Sequence, residues 1–134
     1  GKCFLTLLFR NFNFMLIYLL PYKRSQYVTE VFMHLKKLLG DFDFSRLFEV
    51  ILTDNGTEFS DPESIEKGSS FAGLTQEDCT LLASHINSVP RLSLNNQSPF
   101  EAAKGFLGIN NIKKLGVQQI PLDDIDLSIR LLRK

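Results

Sequence analysis

The chain has no tryptophan, only two cysteines and two methionines, and no net charge, with 15 basic residues balancing 15 acidic ones. Each shortage excludes something. A protein that holds nucleic acid by itself usually carries a basic excess, so the balance weighs against autonomous DNA binding, although a local basic face stays open. Cys3 and Cys79 lie far apart in apolar surroundings, which excludes a disulfide-built scaffold and fits buried thiols in a reducing cytoplasm. Long apolar runs are missing as well. Arg10, Asn11 and Asn13 divide the stretch from Cys3 to Leu20 into two runs of about seven residues, short of the ~20 that a membrane span needs. No charged leader with a small-residue cleavage site is present, and there is no phosphate-binding loop, glycine-rich dinucleotide fingerprint or CxxC pair.

What is present suffices for one domain with a real core: 134 residues, 44% hydrophobic and 22% charged. Lys2 to Phe9 and Phe14 to Leu20 read as a hairpin, apolar enough to be covered on both faces. Ser25 offers an N-cap for a helix whose stripe is Val28, Val31, Phe32, Leu35, Leu38 and Leu39, with Gly40 as its stop. Asp41 to Phe48 reads as a short connecting turn or half-helix, and Glu49 to Thr53 as a strand. A single helical turn is expected over Pro62 to Lys67. Thr75 with Asp78, and Ser98 with Pro99 and Glu101, are helix starts of the capping-box kind. Weaker helical patches follow around Ile112 to Leu115 and Asp123 to Leu132. The order predicts an α/β fold: a small mixed sheet made of the hairpin and the Asp54 strand, covered by helices, with a helical C-terminal region. Residues 1–67 and 68–134 form two parts of one core.

The strand from Val50 to Thr53 runs into Asp54-Asn55-Gly56, and this junction is the main candidate for chemistry. A carboxylate at a strand end can hold a divalent cation, but Asp-Asn-Gly is also an ordinary turn. Two-ion phosphoryl chemistry needs two or three converging carboxylates about 3.5–4 Å from ion to ion, and Mg²⁺ prefers hard oxygen donors. Glu58 and Asp61 fall on the outgoing segment. His34 follows Glu30 by one helical turn, which suits an ion pair, and His85 has no second ligand at zinc spacing. Lys113-Lys114 and Arg130, Arg133 and Lys134 read as solvated faces.

The stretch Ile51-Leu52-Thr53-Asp54-Asn55-Gly56-Thr57-Glu58-Phe59 resembles the second-aspartate motif of the DDE transposases and retroviral integrases. Phe4 to Arg10 with Leu16 to Leu20, Leu74 to Asp78, His85 to Arg91 and Leu94 to Glu101 resemble successive segments of the IS-thirty group of bacterial insertion-sequence transposases. The resemblance spans nearly the whole chain in the right order. It implies a ribonuclease-H-like fold, DNA ends as substrate, and Mg²⁺ or Mn²⁺ held by Asp, Asp and Glu in the cytoplasm of a bacterium. Asp54 alone takes a position of that trio, as catalytic residue and metal ligand. The strand with the first Asp belongs before Gly1, and the helix with the Glu belongs between the Asp54 loop and Lys67, so the fold it implies is incomplete and the chain reads as a piece of a longer protein. Glu63 and Glu66 follow Asp54 too closely to fold back across a sheet. The function implied is that of a transposase fragment, inactive alone. The alternative is an interaction module that binds an intact transposase, or a second copy of itself, and modulates it. The absent first strand would lie between the hairpin and the Asp54 strand, so either those strands pair directly or an unpaired edge remains.

Overall fold

The computed structural model describes residues 2–54, 57–60, 73–128 and 131, with side chains undescribed over residues 49–60. Strands β1 (Cys3–Phe9) and β2 (Phe14–Leu20) form the expected hairpin, in register from Cys3 opposite Leu20 to Phe9 opposite Phe14. Its turn closes with Asn13 at φ 53°, a left-handed conformation that Asn tolerates better than most residues. Helices α1 (Ser25–Leu39) and α2 (Asp41–Asp54) follow, and then β3 (Thr57–Ser60). The second half contributes α3 (Gln76–Asn87), α4 (Pro99–Leu107) and α5 (Ile109–Lys114), with short 3₁₀ turns at Leu92–Leu94 and Leu122–Asp124.

The strand order is β2-β1-β3, and both pairings are antiparallel. The sheet is therefore not mixed within the described residues. A second correction concerns Asp54. Residues 49–53 are helical, as the last part of α2, and the strand comes three residues after Asp54. Asp41 and Asp43 in the first turn favour a helix start there, and the helix runs on through the segment expected to be a strand. β1 pairs directly with β3, Phe4 opposite Ser60 and Leu7 opposite Thr57.

The alternation of side chains along β1 and β2 sends two sets of residues to opposite faces. Cys3, Leu5, Leu7 and Phe9 join Phe14, Leu16 and Leu20 on one face, under Leu35 and Leu39 of α1, Leu47 of α2 and Phe100, Ala103 and Leu107 of α4. Residues from both halves of the chain meet in this one cluster. Phenylalanine dominates it: Phe12 lies 5.3 Å from Phe106, and Phe48 packs edge-on to Phe32 at 5.0 Å and against Phe44 at 4.3 Å. Such pairs add about 0.5–1.5 kcal/mol beyond their burial. On the other face Phe4 and Ile17 pack with Leu74, Cys79 and Ala83 around α3. The hairpin is thus covered on both sides, as its continuous apolarity implied.

The caps follow the sequence closely. Thr75 and Ser98 each close a reciprocal capping box, with Asp78 and Glu101 respectively. α1 differs in one detail, because Arg24 is its N-cap and Ser25 its first helical residue. Gly40 ends α1 at φ 86°, beyond the comfortable range of a side-chain-bearing residue. The expected helix over Asp123 to Leu132 is reduced to a 3₁₀ turn at Leu122–Asp124 within the described residues, and the turn at Pro62 to Lys67 lies outside them.

Candidate functional site

Asp54 is the final residue of α2, so its backbone stands at a helix C-terminus rather than a strand end. That end of a helix carries partial negative charge from unpaired carbonyls and gives a carboxylate no help. Its side chain is outside the described set, as are Asn55, Gly56, Asp61, Glu63 and Glu66. Glu58 has its backbone in β3, opposite Thr6. Among the described residues no three His, Cys, Asp or Glu side chains come together as a metal-binding group. A two-ion site needs several converging carboxylates, and the described donors do not form one.

The remaining sequence candidates divide by burial. His34 and Glu30 are both exposed on α1, while Lys36 pairs with Asp41 and Arg46 with Asp43. Lys113 and Lys114 are exposed in the last turn of α5, where the helix dipole favours them. Arg130, Arg133 and Lys134 are not described.

His85 is different: it is buried, 6% exposed, and its Nδ1 accepts the backbone N–H of Asp126 at 3.0 Å. Two buried hydroxyls, Ser84 of α3 and Ser88 at its C-cap, do the same for neighbouring amides. Ser84 Oγ accepts from Gln118 N, and Ser88 Oγ accepts from Ile120 N, both at 2.9 Å. Each hydroxyl donates in turn to a carbonyl one helical turn back, Ser84 to Thr80 at 2.8 Å and Ser88 to Ser84 at 2.7 Å. α3 thereby holds the backbone of the segment from Val117 to Ser128, a strap across the helix.

The same helix grips the sheet edge with two amides. Asn87, fully buried, accepts from Met15 N at 2.8 Å and donates to Met15 O at 2.7 Å. At the other end Gln76 accepts from Leu19 N and donates to Ile17 O, both at 2.8 Å. These groups lie on the outer edge of β2, which among the described residues has no strand partner on that side. α3 is therefore the organising element of the described structure, binding two backbones through five polar side chains. Sequence reasoning passed over this role. The available signal was the polar stripe Thr80, Ser84 and Ser88, spaced by one helical turn inside an otherwise core-facing helix.

Among the described residues, no helix is long and apolar enough to cross a membrane. Neither a family model, nor a curated protein, nor a solved structure matches this chain.

Proposed function

We propose that this chain is a fragment of a DDE transposase core from a DNA transposition and integration system, related to the IS-thirty group, and that it performs no strand transfer alone. The ordered motif resemblance around Asp54 motivates the reading. The structural observation that bears on it is the direct antiparallel pairing of β1 with Thr57–Ser60, the segment that follows the motif. In a ribonuclease-H-like sheet, the strand bearing the first Asp would separate the hairpin from the strand ending on the second, whose residues 49–53 are helical in this chain. Here the hairpin and the segment just after Asp54 meet without an intervening strand. A core in this state has one carboxylate of the trio in its sequence and no described partner for it.

The test is a nicking and strand-transfer assay on terminal-repeat DNA with Mg²⁺ or Mn²⁺. No product is expected. Metal-dependent product that disappears in Asp54→Asn would overturn the inactivity.

The second reading is a module that binds an intact transposase and modulates it. Exposed apolar side chains on the C-terminal half favour it, with Leu92 at 88%, Leu122 at 70% and Leu127 at 57% exposure. Retention of full-length transposase on immobilised chain is expected under this reading, and absence of retention rejects it.

A further inference from the structure

We propose that two copies of this chain pair through α3, with the Leu92 loop of each copy seated in the groove beside Gln76 to Ser84 of the other. Leu92 is the knob. It is 88% exposed, the most exposed of the large hydrophobic side chains among the described residues. The loop that carries it is held stiff by its own backbone. Arg91 N donates to Gln97 O at 3.0 Å, and Arg91 O accepts from Leu94 N at 3.1 Å and from Asn96 N at 2.9 Å. Asn95 and Asn96 both hold left-handed backbone, at φ 55° and 67°, which is uncommon for residues with a side chain. Asn13 Nδ2 ties the loop to the hairpin turn by donating to Ser93 Oγ at 3.3 Å. A stiff loop that holds an aliphatic side chain in water loses little freedom when that side chain is buried against a partner.

The hole lies further up the same helix. Gln76, Thr80, Leu81 and Ser84 line a groove of about 410 Å³ together with Gly116 and Gln118. Two of its polar side chains are committed elsewhere, Gln76 to Leu19 N and Ile17 O, and Ser84 Oγ to Thr80 O and Gln118 N. What the groove offers a partner is Leu81, 38% exposed, and the Thr80 methyl beneath Gly116. A Cβ at Gly116 would come to 3.2 Å from that methyl, so the glycine keeps this wall low. An aliphatic side chain gains most by entering such a groove.

Leu92 does not reach the groove of its own chain. Thr80 and Ser88 are eight residues apart, about 12 Å along the helix, and the loop begins beyond Ser88. Setting two α3 helices antiparallel brings the knob end of each to the groove end of the other, so a single two-fold axis makes both contacts. Charge favours the same arrangement. The knob end carries Arg91, with Asp123 and Asp124 in the turn after Ile120, and the groove end carries Glu77, with Lys113 and Lys114 just before Gly116. These side chains are exposed, and those of Arg91 and Glu77 have no partner among the described residues. Across the axis each sign finds its opposite. The pairing rests on these residues alone and is independent of the chain's ancestry.

The test is sedimentation velocity of the whole chain from about 1 μM to about 1 mM, with variants at exposed positions. A reversible equilibrium between monomer and dimer is expected. Leu92→Asp should weaken it about tenfold or more while the unfolding midpoint stays in place, and Leu81→Asp should weaken it from the groove side. Arg91→Glu and Glu77→Arg should each weaken it, and the two together should recover it. A chain still monomeric at about 1 mM would overturn the pairing and leave the groove to a different occupant. Dimers that tolerate Leu92→Asp would overturn it too, and so would a double charge reversal that recovers nothing.

Discussion

Asn87 holds Met15 at both its backbone groups, accepting at 2.8 Å and donating at 2.7 Å, so one side chain completes the edge of β2 as a paired strand would. The amide plane of Asn offers one acceptor and two donors side by side, and no other residue but Gln has that pairing. Gln76 repeats the arrangement two strand positions on, with Leu19 N and Ile17 O. An open strand edge invites pairing with other chains, and these two amides occupy it.

Asn87→Ala should therefore do more than remove one side chain. It strands the N–H and C=O of half-buried Met15, where an unpaired buried group costs at most about 1–3 kcal/mol. A loss of roughly 2–4 kcal/mol is expected in urea unfolding, together with faster aggregation on concentration. Asn87→Asp keeps the acceptor but sets a carboxylate oxygen against Met15 O, and should be at least as harmful. A midpoint for Asn87→Ala that matches the wild type would show that the edge does not depend on this residue.

The Cys79 thiol gives a prediction in alkali. Burial, reinforced by the neighbouring Asp78 carboxylate, pushes it up from its ordinary 9.0 to about 12. The folded chain keeps this proton longer than the unfolded chain does, so the contribution is complete below about pH 9 and is lost as pH climbs towards 12. Stability should fall through that window, and Cys79→Ala should flatten part of the slope. Tyr18, raised in the same direction by burial, adds to the slope. Native protein at about pH 8 should also resist thiol alkylation until denatured, since the thiolate is the reactive form. Rapid labelling of the native chain at Cys79 would contradict its burial.

How much of this was legible depended on whether the partner was local. Thr75 with Asp78 and Ser98 with Glu101 are capping boxes three residues apart, and both formed as read. The hairpin and the apolar stripes of α1 were likewise written in periodicity. The apolar run Val50-Ile51-Leu52 before Asp54 reads as a buried strand, yet it lies in α2. In sequence, however, Phe44, Leu47, Phe48 and Ile51 also recur at helical spacing after two N-terminal aspartates. A short apolar run fits either period, and the helix already under way decided it. The Asn87–Met15 and His85–Asp126 bonds join residues 72 and 41 positions apart, and each has a backbone group for a partner. A backbone amide has no side-chain signature, so no residue pattern announces such a bond. Asp54 was legible as a motif, but its surroundings depend on residues outside the described set.

Ser98→Ala offers a calibrated control for the local reading. Its hydroxyl accepts from Glu101 N at 3.2 Å and donates to Glu101 Oε1 at 3.2 Å. Losing an N-cap of this kind typically costs about 1 kcal/mol. The variant should fold and lose that much in denaturant titration, without altering amide protection in the strap. A strap that opens in Ser98→Ala would mean that α4 and the strap are one cooperative unit.

Arg46 makes the last prediction, because its charge and its shape can be separated. Its guanidinium lies 4.4 Å from the Phe106 ring centroid and 5.6 Å from that of Phe42, and Nη2 donates to Phe106 O at 3.2 Å. Asp43 pairs with Arg46 at 3.5 Å and also accepts from Asn111 Nδ2 at 2.9 Å, so the group ties α2 to α4 and α5. A planar guanidinium can stack and donate at once, which an ammonium cannot. Arg46→Lys should therefore lose about 1 kcal/mol despite keeping its charge. If the attraction to Asp43 were the main term, Arg46→Lys would be nearly neutral and the wild type would soften markedly in high salt. That pair is partly exposed and screened, worth about 0–1 kcal/mol, so salt is expected to change the wild-type midpoint little while the Arg46→Lys deficit persists.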